Sequence, residues 1–312
     1  MDDVTDTVFR RVVGSCAPPE LYFTEFVNVD GLQSPGRTKL FKKLRFTADE
    51  QPLIAQIWGK TPEHFETTAA QIADGTFARE LGLPEGLNFA GIDLNMGCPE
   101  KNVVRNGTCS ALINDRDKAL AIIQATQRGA AGRLPISVKT RLGFNDIDFS
   151  WHEFLLKQDL AMLTVHGRTR AEMSKVPAHW DDIGRVRELR DKLAPQTLIV
   201  GNGDVMTRQQ GEELAAEHQL DGVMVGRGIF QDPYFFAPQS PWLELTREAR
   251  IDLYRGHVEL FAKTWHDRER PIHTLNKFCK IYINHFDGAK ELREQLMNAT
   301  SSDELLSLLD DA

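Results

Sequence analysis

The residue types able to do chemistry in this chain collect where short apolar runs stop. Cys98 lies in GIDLNMGCP, Gly91 to Pro99, just past the apolar run at 92–94, which is too short for a helix and is ended by Gly97 and Pro99. The pattern predicts a buried strand that delivers Asn95 and Cys98 into a loop. A thiol there is an acid, a nucleophile or a bystander. No His–Cys protease signature accompanies it, so proton donor is a better role than acyl carrier. Cys16 and Cys279 read as small buried hydrophobes and Cys109 as structural.

Other strand-like runs end in the same way. Lys139 in SVKTRLG alternates with Val138, so the two side chains point to opposite faces. A lysine inside a strand calls for an anionic partner, such as the N1–C2=O edge of a reduced flavin; the alternative is a lysine at the strand's end reaching solvent. His166 and Arg168 end another run, in VHGRTR. The histidine is either a donor to a phosphate or carbonyl or a satisfied structural residue, and Arg168 with Arg170 makes a positive tip with no acid next to it. Asn202, Gly203 and Asp204 in VGNGD, and Gly226 with Arg227 in VGRG, follow two consecutive strands. Either motif alone is ordinary turn chemistry; together they point to backbone N–H groups around a phosphate-bearing ligand.

Positioning these residues takes repeated strand–turn–helix units. Besides the Cys98 stretch, strands are predicted at 22–27, 52–57, 136–140, 162–165, 198–200 and 222–225, with helices at 63–80, 115–128, 181–193 and 208–218. Such alternation means parallel βα units, either a closed barrel or an open doubly wound sheet. An open sheet equips only the strands at its switch point, whereas Asn95, Cys98, Lys139, Arg141, His166, Arg168, Asn202 and Arg227 come from many strand ends and need one shared mouth. The expected fold class is therefore α/β, a (β/α)8 TIM barrel over residues 1–240. Its first strand is expected to be truncated, because the helical run 6–13 follows Met1 too closely for a strand to precede it. Either the chain starts inside that strand, or the protein lives with seven.

Past Pro241 no strand is predicted. Helical patterns at 245–265, 272–286, 289–297 and 303–309 make residues 241–312 a small all-helical domain. Lys277 and Lys280 stand three apart, opposite the stripe Leu275, Phe278 and Tyr282, and Lys290 and Arg293 repeat the spacing. These pairs are either solvated surface or, with Lys101 and Arg105 behind Cys98, a basic track for RNA phosphates. Segments 46–51 and 145–148 read as exposed loops.

Composition sets outer bounds. The chain has 312 residues, a net charge of -8 and four cysteines without metal-type spacing, so neither a disulfide framework nor a metal site is expected. The charge argues against a protein that coats nucleic acid over its whole surface and leaves a local basic patch open. No apolar run approaches the roughly 20 residues of a membrane helix, and MDDVTD is no signal peptide, so a cytoplasmic monomer without membrane contact is expected.

The motifs DDVTDTVFR, TEFV (24–27), AQIWG (55–59), DLNMGCP (93–99), SVKTRLG (137–143), VHGRTR (165–170), GNGD (201–204) and GRG (226–228) stand in one order along the whole chain. In them the chain resembles the tRNA-dihydrouridine synthases of bacterial type. The resemblance implies a flavin-bearing barrel followed by a helical tRNA-binding domain, with FMN and NADPH or NADH as cofactors and tRNA as partner. It implies hydride transfer to C6 of a specific uridine and a proton from Cys98 to C5. Gln56, Lys139 and His166 match FMN-binding positions; Asn202, Gly203, Asp204, Gly226 and Arg227 match the phosphate side. Met1 matches the methionine of an Ala-Pro-Met turn at the flavin, Asn95 a residue near the target uracil, and Cys109 a position where many relatives have glycine. Lys101, Arg105, Arg168, Lys277 and Lys280 are the expected tRNA contacts. Two other functions stay open at this point: a flavin barrel reducing a free small molecule, and an RNA-binding protein with an inactive barrel.

Overall fold

Short β-branched runs closed by turns give, among the described residues, eight strands, all parallel: β1 (Tyr22–Phe23), β2 (Val27–Asn28), β3 (Leu53–Trp58), β4 (Gly91–Asn95), β5 (Ile136–Gly143), β6 (Met162–Thr169), β7 (Leu198–Asn202) and β8 (Gly222–Met224). The protein is seen in a computed structural model that describes residues 1–266 and 269–312. β1 and β2 pair with opposite ends of β3, so they fill one position of the sheet. Between them Thr24 carries the pairing: its N–H donates to the Ile54 carbonyl, while its Oγ1 accepts the Gln56 N–H at 3.0 Å and donates to the Glu25 carbonyl. The predicted strand 22–27 is thus a strand with a bulge in it.

From β3 the order runs β4, β5, β6, β7, β8, each joined to the next through a helical connection, which is TIM-barrel winding. Among the described residues no ladder joins β8 back to β1, so the sheet curls without closing at the position where the first strand is expected. Apolar side chains facing away from the barrel interior pack under the helices. Trp151, fully buried on helix Phe149–Leu156, donates its Nε1–H to Thr140 Oγ1 at 2.9 Å.

The structure corrects several element assignments. Helix Phe149–Leu156 is absent from the sequence reading, and the segment before it supplies its N-cap, Asp148. The predicted helix 63–80 is two, Pro62–Ala73 and Thr76–Glu80, parted at left-handed Gly75 (φ 75°). The predicted exposed loop 46–51 is partly core. Phe46 and Glu50 are buried, and Glu50 accepts from Thr7 Oγ1 at 2.5 Å, Arg10 Nε at 2.6 Å and the Thr47 N–H at 2.7 Å.

The tail folds as helices Arg247–Trp265, His273–Asn276, Cys279–Tyr282, Ala289–Asn298 and Ser302–Asp310, so the predicted helix 272–286 is two short turns. Leu275, Phe278 and Tyr282 are buried and Lys277 and Lys280 exposed, the stripe read from the sequence. Helix Thr7–Cys16 belongs to this second core: Val8, Phe9, Val12 and Val13 pack there, with Phe9 stacked on Phe278 at 4.9 Å. Polar contacts close the junction with the barrel. Trp265 Nε1 donates to Asp6 Oδ2 at 2.9 Å, and Arg270 pairs with Glu25 in full burial. No helix among the described residues is long and apolar enough to cross a membrane.

Candidate active site

Parallel register fixes which strand residues become neighbours inside the barrel. Gln56 pairs with Asp93 and Asp93 with Ser137; Asn95 pairs with Lys139; Arg141 pairs with His166 and His166 with Asn202. Because side chains alternate along a strand, these residues share the inner face and form a polar layer at the C-terminal mouth.

The loop carrying Cys98 is held from three sides. Asn95 Oδ1 accepts the N–H groups of Gly97 and Cys98 at 3.2 and 3.0 Å. Arg141, itself buried, donates Nε–H to the Gly97 carbonyl at 2.8 Å and reaches the carbonyls of Thr169 and Met173 at 3.0 and 3.1 Å. Ser110 Oγ donates to the Cys98 carbonyl at 2.8 Å. Gly97 lies against the backbone of Thr140, where an added Cβ would come within 3.2 Å. Cys98 itself is half-buried, and burial pushes its thiol pKa up against the pull of the Glu100 N–H and Arg141. The sulfur therefore keeps its proton at neutral pH, the state an acid needs.

Beside this loop Lys139 donates to Asn202 Oδ1 at 3.0 Å, and Asn202 Nδ2 donates to the Met224 carbonyl at 2.7 Å. Burial, with Arg141 nearby, lowers the Lys139 pKa to about 8. His166 is held neutral, its pKa far below the usual value through burial and the charges of Lys139, Arg141, Arg168 and Arg227. Its Nδ1 is buried without a partner. Gly203 takes φ 130°, open to glycine alone, and passes close to Ala178 and His166. At Gly226 no protein atom lies within 4 Å of where a Cβ would stand, and Arg227 opens the turn Arg227–Phe230. An unpartnered imidazole nitrogen, a weakened ammonium and open space beside Gly226 fit a flavin with a phosphate tail.

Arg168 is not the positive tip that the sequence suggests. Only 3% exposed, it pairs with Asp204 and donates Nε–H to the Val176 carbonyl at 2.5 Å, while Asp204 also accepts the Ala178 N–H at 2.9 Å. The cancelling acid is distant in sequence and adjacent through register. Its Nη1 stays buried and unpaired, and Arg170 lies over Phe144 at 5.2 Å. The terminal NH3⁺ of Met1 donates to Thr5 Oγ1 at 2.8 Å, with Lys139 among the charges that it feels. Lys101 and Arg105 are exposed on helix Lys101–Arg105, directly after the Cys98 loop. Lys277 and Lys280 lie on the tail, Lys277 Nζ reaching the Asp3 carbonyl. Cys109 is buried with φ 51°, which explains glycine as the alternative there; Cys279 is buried and Cys16 half-buried.

Sequence reasoning missed Asp93 and Ser137 as site residues, and it put Arg141 at the mouth without a role. The signal was present: each stands two positions from Asn95 or Lys139, on the same face of its strand.

An α/β barrel whose C-terminal mouth gathers these polar residues has the layout of a barrel enzyme. The family model described as Dihydrouridine synthase (Dus) matches residues 1–312, and the chain belongs to that family. It is 46% identical over 315 residues to the "Probable tRNA-dihydrouridine synthase 2" of Bacillus subtilis (strain 168), covering 100% of this chain and 91% of that one. It is also 46% identical over 314 residues to the "Probable tRNA-dihydrouridine synthase" of Staphylococcus aureus (strain COL), covering 100% and 90%. Among solved structures, histamine dehydrogenase from Rhizobium sp. 4-9 is similar at a TM-score of 0.50 and 11% identity, covering 83% of this chain and 47% of that one, a likeness of fold alone.

Proposed function

We propose that this protein reduces a specific uridine of tRNA to 5,6-dihydrouridine in the cytoplasm, with FMN as the flavin, NADPH or NADH as electron source and Cys98 as the acid. The observation that carries the reading is the neutral Cys98 thiol, anchored through Asn95 and Arg141 at the mouth that Lys139 and His166 also line. Gln56, Lys139 and His166 would hold the ring, with Met1 beside it, and Asn202, Gly203, Asp204, Gly226 and Arg227 the phosphate end. Arg168, turned inward, serves that end as well. When bound, the reduced flavin supplies a hydride to C6 of the uracil. Saturating the 5,6 bond develops enolate charge at the C4 oxygen, which fixed N–H donors at the mouth stabilise, and Cys98 Sγ gives its proton to C5 from the opposite face.

The uracil has to leave its stack to reach this mouth, so the surrounding surface must hold the RNA backbone meanwhile. We assign that task to Lys101, Arg105, Lys277 and Lys280, and to residues 241–312 as a tRNA-binding domain on the barrel of residues 1–240. Support comes from the exposure of all four cations and from the all-helical build of the tail, whose core also takes in helix Thr7–Cys16. Incubating the purified protein with FMN, NADPH and unmodified tRNA tests the function; dihydrouridine should appear in the RNA, and free uridine should stay unreduced.

Charge reversal of Lys101, Arg105 and Lys280 to Glu together should raise the tRNA KM at least about tenfold at low salt and flatten the log–log salt dependence by about 0.7–0.9 per lost contact. Steady-state kinetics at several salt concentrations checks this, with kcat little changed. A pH effect follows from Lys139. Its pKa, lowered to about 8, makes it cationic below that pH and neutral above, so FMN affinity should hold below pH 8 and weaken as pH rises through it. Quenching of FMN fluorescence across that range measures the decline, which Lys139→Met should abolish.

A further inference from the structure

Asp93 is a fully buried carboxylate inside the barrel that the reaction proposed above does not use. Its Oδ1 accepts from Ser137 Oγ at 2.6 Å and its Oδ2 from Gln56 Nε2 at 2.7 Å. Gln56 Oε1 accepts in turn from Asn95 Nδ2 at 3.3 Å, and Asn95 Oδ1 accepts the N–H groups of Gly97 and Cys98. The two ends of this chain of bonds are chemically one-sided. An ionised carboxylate only accepts, and a backbone N–H only donates, so the two amides between them must both turn their NH2 groups toward Asp93 and their oxygens toward the loop.

We infer that Asp93 is a positioning residue for Cys98, acting through Gln56 and Asn95: its carboxylate sets the direction of both amides and so fixes the loop that carries the thiol. Asparagine at this position removes the bias, because its own amide donates as readily as it accepts. In the reversed arrangement Asn95 would aim NH2 at the Gly97 and Cys98 N–H groups, and the loop would lose both anchors. Gln56→Glu causes the opposite conflict, placing carboxylate against carboxylate. Asp93→Asn combined with Gln56→Glu restores the order. The amide now at position 93 donates to the carboxylate now at position 56, that carboxylate accepts from Asn95 Nδ2, and the site again holds a single negative charge.

The inference rests on Cys98 as the acid, and the test is arranged to separate the two. Cys98 alkylation by iodoacetamide is followed by mass spectrometry in the FMN-saturated protein, with Cys16 as internal reference, alongside kcat and KM for tRNA. Asp93→Asn and Gln56→Glu should each change the Cys98 alkylation rate at least about threefold and lower kcat at least about tenfold with KM for tRNA held within about twofold, the pattern of a lost positioning contact. The double variant should return the alkylation rate to within about threefold of the parent, a coupling between neighbours that independent structural damage would not give, while kcat stays lowered because Gln56 also holds the flavin. Wild-type alkylation in both single variants, or a double variant no better than the worse single one, overturns the inference. Should Asp93→Asn alone fail to fold, the double variant compared with Gln56→Glu decides. Alkylation reports the loop whichever group protonates C5, so full turnover by Cys98→Ala would defeat the acid assignment and leave this result standing.

Discussion

Cys98→Ala is expected to lower kcat for dihydrouridine formation by about 10²–10⁴, the usual contribution of a placed general acid, with FMN and tRNA still bound. The expectation follows from the loop. Its anchors, Asn95 Oδ1 and Arg141 Nε, hold the backbone of Gly97 and Cys98 and not the sulfur, so removing Sγ leaves the site's shape in place. Only a proton source is lost. Burial raises the thiol's pKa and so keeps the proton that the variant lacks. Single-turnover kinetics on the flavin-loaded variant checks this. Parent-like product formation would sink the assignment, and loss of bound FMN would show that the cysteine served the fold.

The largest effect on stability is expected at Glu50. Its side chain is fully buried against Arg10, 3% exposed, at 2.6 Å, and it also caps the turn Ala48–Glu50 through Thr47. Glu50→Ala strands the Arg10 guanidinium in the interior, a change that costs about 3–5 kcal/mol when a buried pair loses one partner. Urea denaturation should show that loss, whereas Asp49→Ala, at an exposed neighbour, should stay within about 0.5 kcal/mol. Replacing Arg10 and Glu50 together by apolar residues of similar volume should cost less than Glu50→Ala alone, since no charge is then left unpaired.

Much of this molecule is legible in its sequence, and the gaps share a cause. Strand runs closed by glycine or proline, and polar residues at their ends, suffice for the barrel and for a mouth containing Cys98, Lys139, His166 and Asn202. The stripe on the tail is equally readable, because Leu275, Phe278 and Tyr282 obey helical spacing within one segment. What is not legible is pairing across segments. Arg168 reads as a free cation in VHGRTR, yet β6 and β7 bring it to Asp204, thirty-six positions away. Glu50 sits in a polar stretch, ADEQ, that reads as solvent-facing until helix Thr7–Cys16 brings Thr7 and Arg10 against it. Asn95 matches a residue near the uracil in the sequence, and register adds what the sequence does not show, Gln56 on one side of it and its own loop on the other. Period-2 alternation tells which face a residue takes; only the register between strands tells what it meets there.

The most direct test of the central claim is the position and face of the added hydrogens. Reaction in deuterated water, followed by NMR of the dihydrouridine, should place the C5 deuterium on one face alone, opposite the new C6 hydrogen, because Cys98 exchanges its proton with solvent and delivers it across the ring; C6 carries whichever isotope flavin N5 holds. Deuterium on the flavin face of C5, or shared between both faces of C5 in the parent protein, would contradict a thiol acid facing the flavin.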